Sequence, residues 1–115
     1  MTNIEVQKEK RVNVAPKEYY ADILLPKHDI IVEYHGDFWH ANPKKYSEDY
    51  YNPKKQLLAR EIWELDKIRL NKLQEKYKVY VVWESDFARN KKEVLKELVE
   101  NIKNDIGWRR KPTNT

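Results

Sequence analysis

YYADILLPKHDIIVEYHGDFWH, residues 19–40, holds two extended segments joined by a turn. Tyr19–Leu25 is rich in strand-forming residues and is closed by Pro26 and the polar turn Lys27, His28, Asp29. Ile30–His35 is the second segment, and Gly36 ends it. Side chains alternate across a strand, so Ile31, Glu33 and His35 are expected on one face and Ile30, Val32 and Tyr34 on the other. Two titratable groups thereby line up two positions apart.

Outward from this pair, residues 4–14 alternate in part (Ile4, Val6, Val12, Val14) and read as an extended or strand segment interrupted by the charged run Lys8–Arg11, or equally as a frayed arm. Residues 36–53, with Gly36, Pro43, Pro53 and interspersed aromatics, read as an irregular loop. A long helix is expected from Lys54 to about Tyr77, with Leu58, Ala59, Ile62, Leu65, Leu70 and Leu73 on one broad face. Asp66 and Arg69 fall inside that arc, where a charge is usually paired or functional. They could also satisfy each other at i,i+3. Lys78–Glu84 reads as a buried strand, and Lys91–Asn104 as a final helix stopped by Gly107. The expected fold is α/β (α+β): a mixed sheet of three or four strands packed with two helices, forming one domain over residues 1–107. The site is expected at the sheet edge where the Asp22 and Glu33 strands adjoin, and residues 108–115 are expected to be a basic mobile tail.

Composition narrows the chemistry. The chain of 115 residues has 23 Lys and Arg against 19 Asp and Glu, a net charge of +4 that suits a polyanionic partner. No cysteine is present, so a thiolate-held structural zinc is excluded and any metal must be held by oxygen and imidazole. Only three histidines occur, which makes a three-histidine zinc centre a poor fit. No apolar run approaches the roughly 20 residues of a membrane span, and no signal-peptide core is visible, so a soluble, cytoplasmic protein is expected.

Phosphodiester hydrolysis needs a metal to offset developing charge and a group to handle the proton. Carboxylates on neighbouring strands supply such a metal site, and imidazoles exchange protons near neutral pH. Here Asp22, Glu33 and His35 form D-x10-E-x-H, which resembles the PD-(D/E)xK nuclease signature with Ala21 in place of proline and His35 in place of lysine. The following residues, H-G-D-F-W-H from His35 to His40, resemble the H-G-x-F-W-H hallmark of the very-short-patch-repair (Vsr) endonucleases. Asp22 precedes that run at the family's interval, and a charged helix with Asp66 and a strand reading V-W-E follow in the family's order. The resemblance covers roughly residues 20 to 87.

The resemblance implies a restriction-endonuclease-like core, Mg²⁺ (or Mn²⁺) as cofactor and double-stranded DNA as partner. Asp22, Glu33 and the backbone carbonyl of Tyr34 would hold the metal. His40 would act as general base, Asp66 would orient an imidazole, and His35 would contact the scissile phosphate or assist the base. Phe38 and Trp39 would form an aromatic wedge entering the base stack. Lys44, Lys45, Lys54, Lys55 and Arg69 are the candidate DNA contacts, the lysines being interleaved with Tyr46, Tyr50 and Tyr51.

Asp37 stands where Vsr proteins carry a zinc-binding cysteine. This brings the chain closer to the Vsr-like nuclease domains of E-D-x-H-D homing endonucleases than to a mismatch-repair enzyme. That pattern also has an upstream glutamate on an N-terminal helix. Glu5 and Glu9 lack a helical context, so a second polypeptide or domain is expected to supply that element and DNA recognition. Glu84 ends a strand and is a candidate further acid. A mismatch or nicking DNA repair endonuclease, and a non-catalytic DNA-binding module in which the acids are structural, are the alternative readings.

Overall fold

The alternation of the first half builds a sheet with two differently clothed faces. The structure, a computed structural model, describes residues 4–107; the tail expected over 108–115 lies outside them. Strands β1 (Gln7–Val14), β2 (Lys17–Leu25) and β3 (Ile30–His35) follow one another. A two-residue ribbon comes next, β4 (Tyr51–Asn52) and β5 (Leu57–Leu58), followed by helix α1 (Ala59–Leu73). Strand β6 (Lys78–Trp83) and helices α2 (Glu84–Arg89) and α3 (Lys91–Asp105) complete the order.

The sheet is four-stranded in the order β1-β2-β3-β6. The first three strands are antiparallel neighbours, while β6 runs parallel to β3 with Ile31 opposite Val79 and His35 opposite Trp83. The mixed sheet agrees with expectation. β2 and β3 are inner strands, however, so the expected placement of the site at a sheet edge is corrected.

The faces of β3 divide as the alternation predicts. Ile31 joins Val12, Val14, Ala21, Leu24 and Leu73 in a core beneath α1. Ile30 and Val32 join Leu25 and Ile102 in a core beneath α3. On β2 the alternation slips: Ala21 and Leu24, three apart, face the same core, while Ile23 and Leu25 face the other. The slip falls at Asp22. Lys8 pairs with Ile23 and Lys10 with Ala21, and between them Glu9 takes a left-handed φ of 51°. Backbone pairing of β2 with β3 spans only Ile23–Leu25 against Ile30–Val32, so the two strands part beside Asp22 and Glu33.

Three further expectations are corrected. The long helix begins at Ala59 and ends at Leu73, inside its expected span. Buried Asn52 accepts the backbone N–H groups of Lys54 and Lys55 through Oδ1 (3.0 Å each), and Gln56 takes φ 58°. This turn chemistry outcompetes helix. Helix starts where Glu61 Oε1 reaches back to the Leu58 N–H at 2.9 Å. Leu65, expected on the core face, is 55% exposed. The stripe that meets the sheet runs instead through Ile62, Asp66, Arg69 and Leu73, two of them charged. The short helix α2 follows where only a strand end was expected. Among the described residues no helix is long and apolar enough to cross a membrane.

Candidate active site

Where β2 and β3 part, side chains replace the missing ladder. Asp22 Oδ2 accepts the Tyr34 N–H at 2.9 Å, just past the last backbone pair. From α1, Arg69 reaches into the same gap. Its Nη2 donates to the Tyr20 carbonyl (2.7 Å) and its Nη1 to Glu33 Oε1 (2.5 Å). Glu33 is only 5% exposed. Burial pushes its carboxyl pKa up, but the hydrogen bonds and charges of His35 and Arg69 outweigh burial and hold it below the ordinary carboxylate value. The self-satisfying Asp66–Arg69 pair does not form, because each residue has a partner across the fold.

Two imidazoles stand in front of this buried ion pair. His35 Nε2 lies 3.3 Å from Glu33 Oε1, and the His35 ring stacks on that of His40 with centroids 3.8 Å apart and planes 9° from parallel. His40 Nδ1 lies 2.8 Å from Asp66 Oδ2. A carboxylate oxygen only accepts in such a bond, so Nδ1 carries the hydrogen, and in the neutral ring Nε2 is then the nitrogen with the lone pair. Trp83 packs edge-on to both rings, at 5.2 and 6.4 Å. A cleft of about 320 Å³ opens here, walled by α1, β6 and Pro43.

His35, His40 and Asp66 bring potential metal-binding atoms within 4.8 Å of one another. Imidazole binds a metal in its ring plane at about 2.0–2.1 Å. Two parallel stacked rings aim their lone pairs along separate planes, so this stacked arrangement does not converge on one ion.

The loop that carries His40 is pinned from below. Buried Asp37 accepts from Asn42 Nδ2 (2.9 Å) and Ser85 Oγ (3.3 Å) through Oδ1, and from Lys45 Nζ (3.1 Å) through Oδ2. Its own N–H donates to Glu84 Oε1 at 3.0 Å. Burial raises the Asp37 pKa, but these hydrogen bonds prevail and lower it overall. Turn bonds from His40 N to the Gly36 carbonyl (3.1 Å) and from Asn42 N to the Asp37 carbonyl (2.9 Å) then fix where His40 stands. Asp37→Ala leaves three donors without their acceptor and is expected to cost about 2 kcal/mol. Urea unfolding checks this: a midpoint equal to the parent's would show that the network holds nothing.

The remaining candidates are scattered. Trp39 is half exposed and meets Phe38 edge-on at 5.7 Å, whereas Phe38 is half-buried. Lys44 and Lys54 are exposed in separate turns, Lys55 is half-buried, Lys45 is tied to Asp37, and Arg69 is tied to Glu33. Asp22 meets Tyr34 and bonds to neither imidazole among the described residues. Glu84 faces the Asp37 loop rather than the imidazoles. Sequence reading missed Trp63, whose Nε1 donates to the Ala41 carbonyl at 2.6 Å, and also Asn42 and Asn52. Trp63 follows Ile62 on α1 and could have been suspected from helical phase. Each asparagine stands before a proline, a turn signal, and accepts a backbone N–H two residues on, whereas their partners across the loop, Asp37 and the Phe38 carbonyl, are set by the loop's path. No protein-family model, curated protein or solved structure matches the chain.

Proposed function

We propose that the chain is a Vsr-like nuclease domain of restriction-endonuclease-like type that hydrolyses phosphodiester bonds of double-stranded DNA with Mg²⁺ or Mn²⁺. The observation that carries this reading is His40, held by Asp66 through Nδ1, stacked on His35, and presented in an open cleft. The same carboxylate–imidazole logic prepares general bases elsewhere: the acid fixes the tautomer, and the free nitrogen takes a proton from water. His35, anchored by Glu33, offers a second polar edge for a phosphate oxygen.

Asp22 fits a hard dication. One carboxylate oxygen is engaged by Tyr34, and the other forms no hydrogen bond among the described residues. Asp22 and the Tyr34 carbonyl would hold Mg²⁺, an ion that keeps several of its own waters and takes few protein ligands. Bound there, it would supply charge stabilisation at the phosphate. Glu33 serves differently in this reading: spent on Arg69 and His35, it is a positioning residue rather than a metal ligand. Arg69 likewise orders the gap between the strands instead of meeting DNA. Trp39, exposed beside the site, remains the candidate wedge.

Supercoiled-plasmid cleavage tests the proposal. Nicking or linearisation is expected with Mg²⁺ and none with EDTA. An intact plasmid with Mg²⁺ and with Mn²⁺, from protein whose circular dichroism shows it folded, would count against catalysis by this chain.

A further inference from the structure

The cleft in front of the imidazoles offers more than a phosphate site. Phosphates are held by N–H groups and cations, which His35, His40, Lys67 and Arg69 supply here, but the lining also includes Pro43, Trp63, Leu70, Val81 and Trp83, and most of its exposed area is apolar. Both indoles are fixed in place. Trp63 is tethered by its bond to the Ala41 carbonyl, and Trp83 is held against the stacked imidazoles. Val81 is 37% exposed although it lies within a strand. At about 320 Å³ the cleft sits at the low end of small-molecule sites, roughly 300–1,000 Å³. Lys67 lines it too and forms no ion pair among the described residues, which leaves a free cation for a polyanion entering there.

We infer that this cleft receives a nucleobase that has left the stack, so that the preferred substrate is DNA with an unpaired nucleotide beside the scissile bond. The inference rests on the nuclease reading for its nucleic-acid ligand. A phosphodiester brought to His40 carries its neighbouring base on a tether of only a few bonds, and the flat apolar walls flank that same imidazole. A base still paired in a duplex cannot enter. A base already unpaired has the smallest unstacking cost, which makes the cleft a source of selectivity.

The test is binding in EDTA, where no strand is cut. The probes are a short duplex bearing a one-nucleotide bulge of 2-aminopurine and the same duplex with an abasic bulge. Quenching of the 2-aminopurine and about tenfold tighter binding of the base-bearing duplex are expected, at the low end of what one stacked base contributes. Trp83→Leu should remove the preference. Val81→Tyr, which adds bulk where the side chain is already partly exposed, should do the same if Trp83→Leu fails to fold. Equal affinity for the two duplexes, or a base preference that survives in Val81→Tyr, would overturn the inference. Metal-dependent plasmid cleavage alongside equal affinities would overturn this pocket and leave the nuclease reading standing. A base preference with neither the plasmid nor the bulged duplex cut in Mg²⁺ would support the pocket and remove the nuclease reading.

Discussion

His40→Ala is expected to lower metal-dependent plasmid cleavage by about 10²- to 10⁴-fold, the usual share of a positioned acid–base group. Stability should fall by about 1–2 kcal/mol, because the hydrogen bond to Asp66 and the ring's stack on His35 are lost, while both hydrogen-bond partners are reachable by water. Asp66→Asn sharpens the point. An amide can donate to Nδ1 and so favours the tautomer with its hydrogen on Nε2, which cannot accept a proton. A comparable swap in a serine protease costs about 10⁴-fold. Asp22→Ala should act through the metal instead, shifting cleavage to higher Mg²⁺ concentrations or abolishing it. Single-turnover cleavage measured across pH and Mg²⁺ concentration separates these effects. A His40→Ala variant within a few-fold of the parent would remove His40 from the reaction.

Arg69→Met is expected to be the most destabilising of the site substitutions, by about 3 kcal/mol. Removing one partner of a buried ion pair costs about 3–5 kcal/mol, and the lower end applies because the Arg69 side chain is 34% exposed and already partly screened. The Tyr20 carbonyl loses its donor as well.

The loss should depend on pH with a definite sign. In the parent, the Glu33 carboxyl lies below its ordinary value. Its contribution is therefore present above the unfolded pKa, about 4.3, and fades as pH falls through the folded value. Asp37, lowered for its own reasons, adds to the same acid-side loss. Without Arg69, the hydrogen bond and charge of the guanidinium no longer offset burial, so the Glu33 pKa rises from its value in the parent, with His35 still lowering it. The variant's deficit is smallest where Glu33 is protonated in both proteins, and it grows as pH rises through the parent's lowered folded value until Glu33 is ionised in the variant as well. Urea unfolding of both proteins from pH 3 to pH 7 reads this directly. A deficit that stays flat over that range would show that the charge on Glu33 is not what Arg69 serves. Glu33→Gln in the Arg69→Met background should recover most of the neutral-pH loss, since an uncharged amide does not need the guanidinium.

Residue patterning was enough to set the local frame. Alternation set the two faces of β3, so that Glu33 and His35 share a side, because a strand's side-chain period is two and both faces of this strand had to be covered. The bounds of β3 and the start of α3 were legible for the same local reasons: turn residues on one side, an apolar stripe on the other. That Asp66 and Arg69 face the core was also readable from helical phase.

Their partners came from packing across the fold. Asp66 meets His40 across 26 residues and Arg69 meets Glu33 across 36, distances over which no periodicity carries information. The turn at Asn52 that delays α1 is local, made by its side chain on the N–H groups two and three residues on. The slip at Asp22 and the exposure of Leu65 were hidden for another reason: each depends on where a second element halts a ladder or leaves a face uncovered, and neither local propensity nor hydrophobic pattern encodes that.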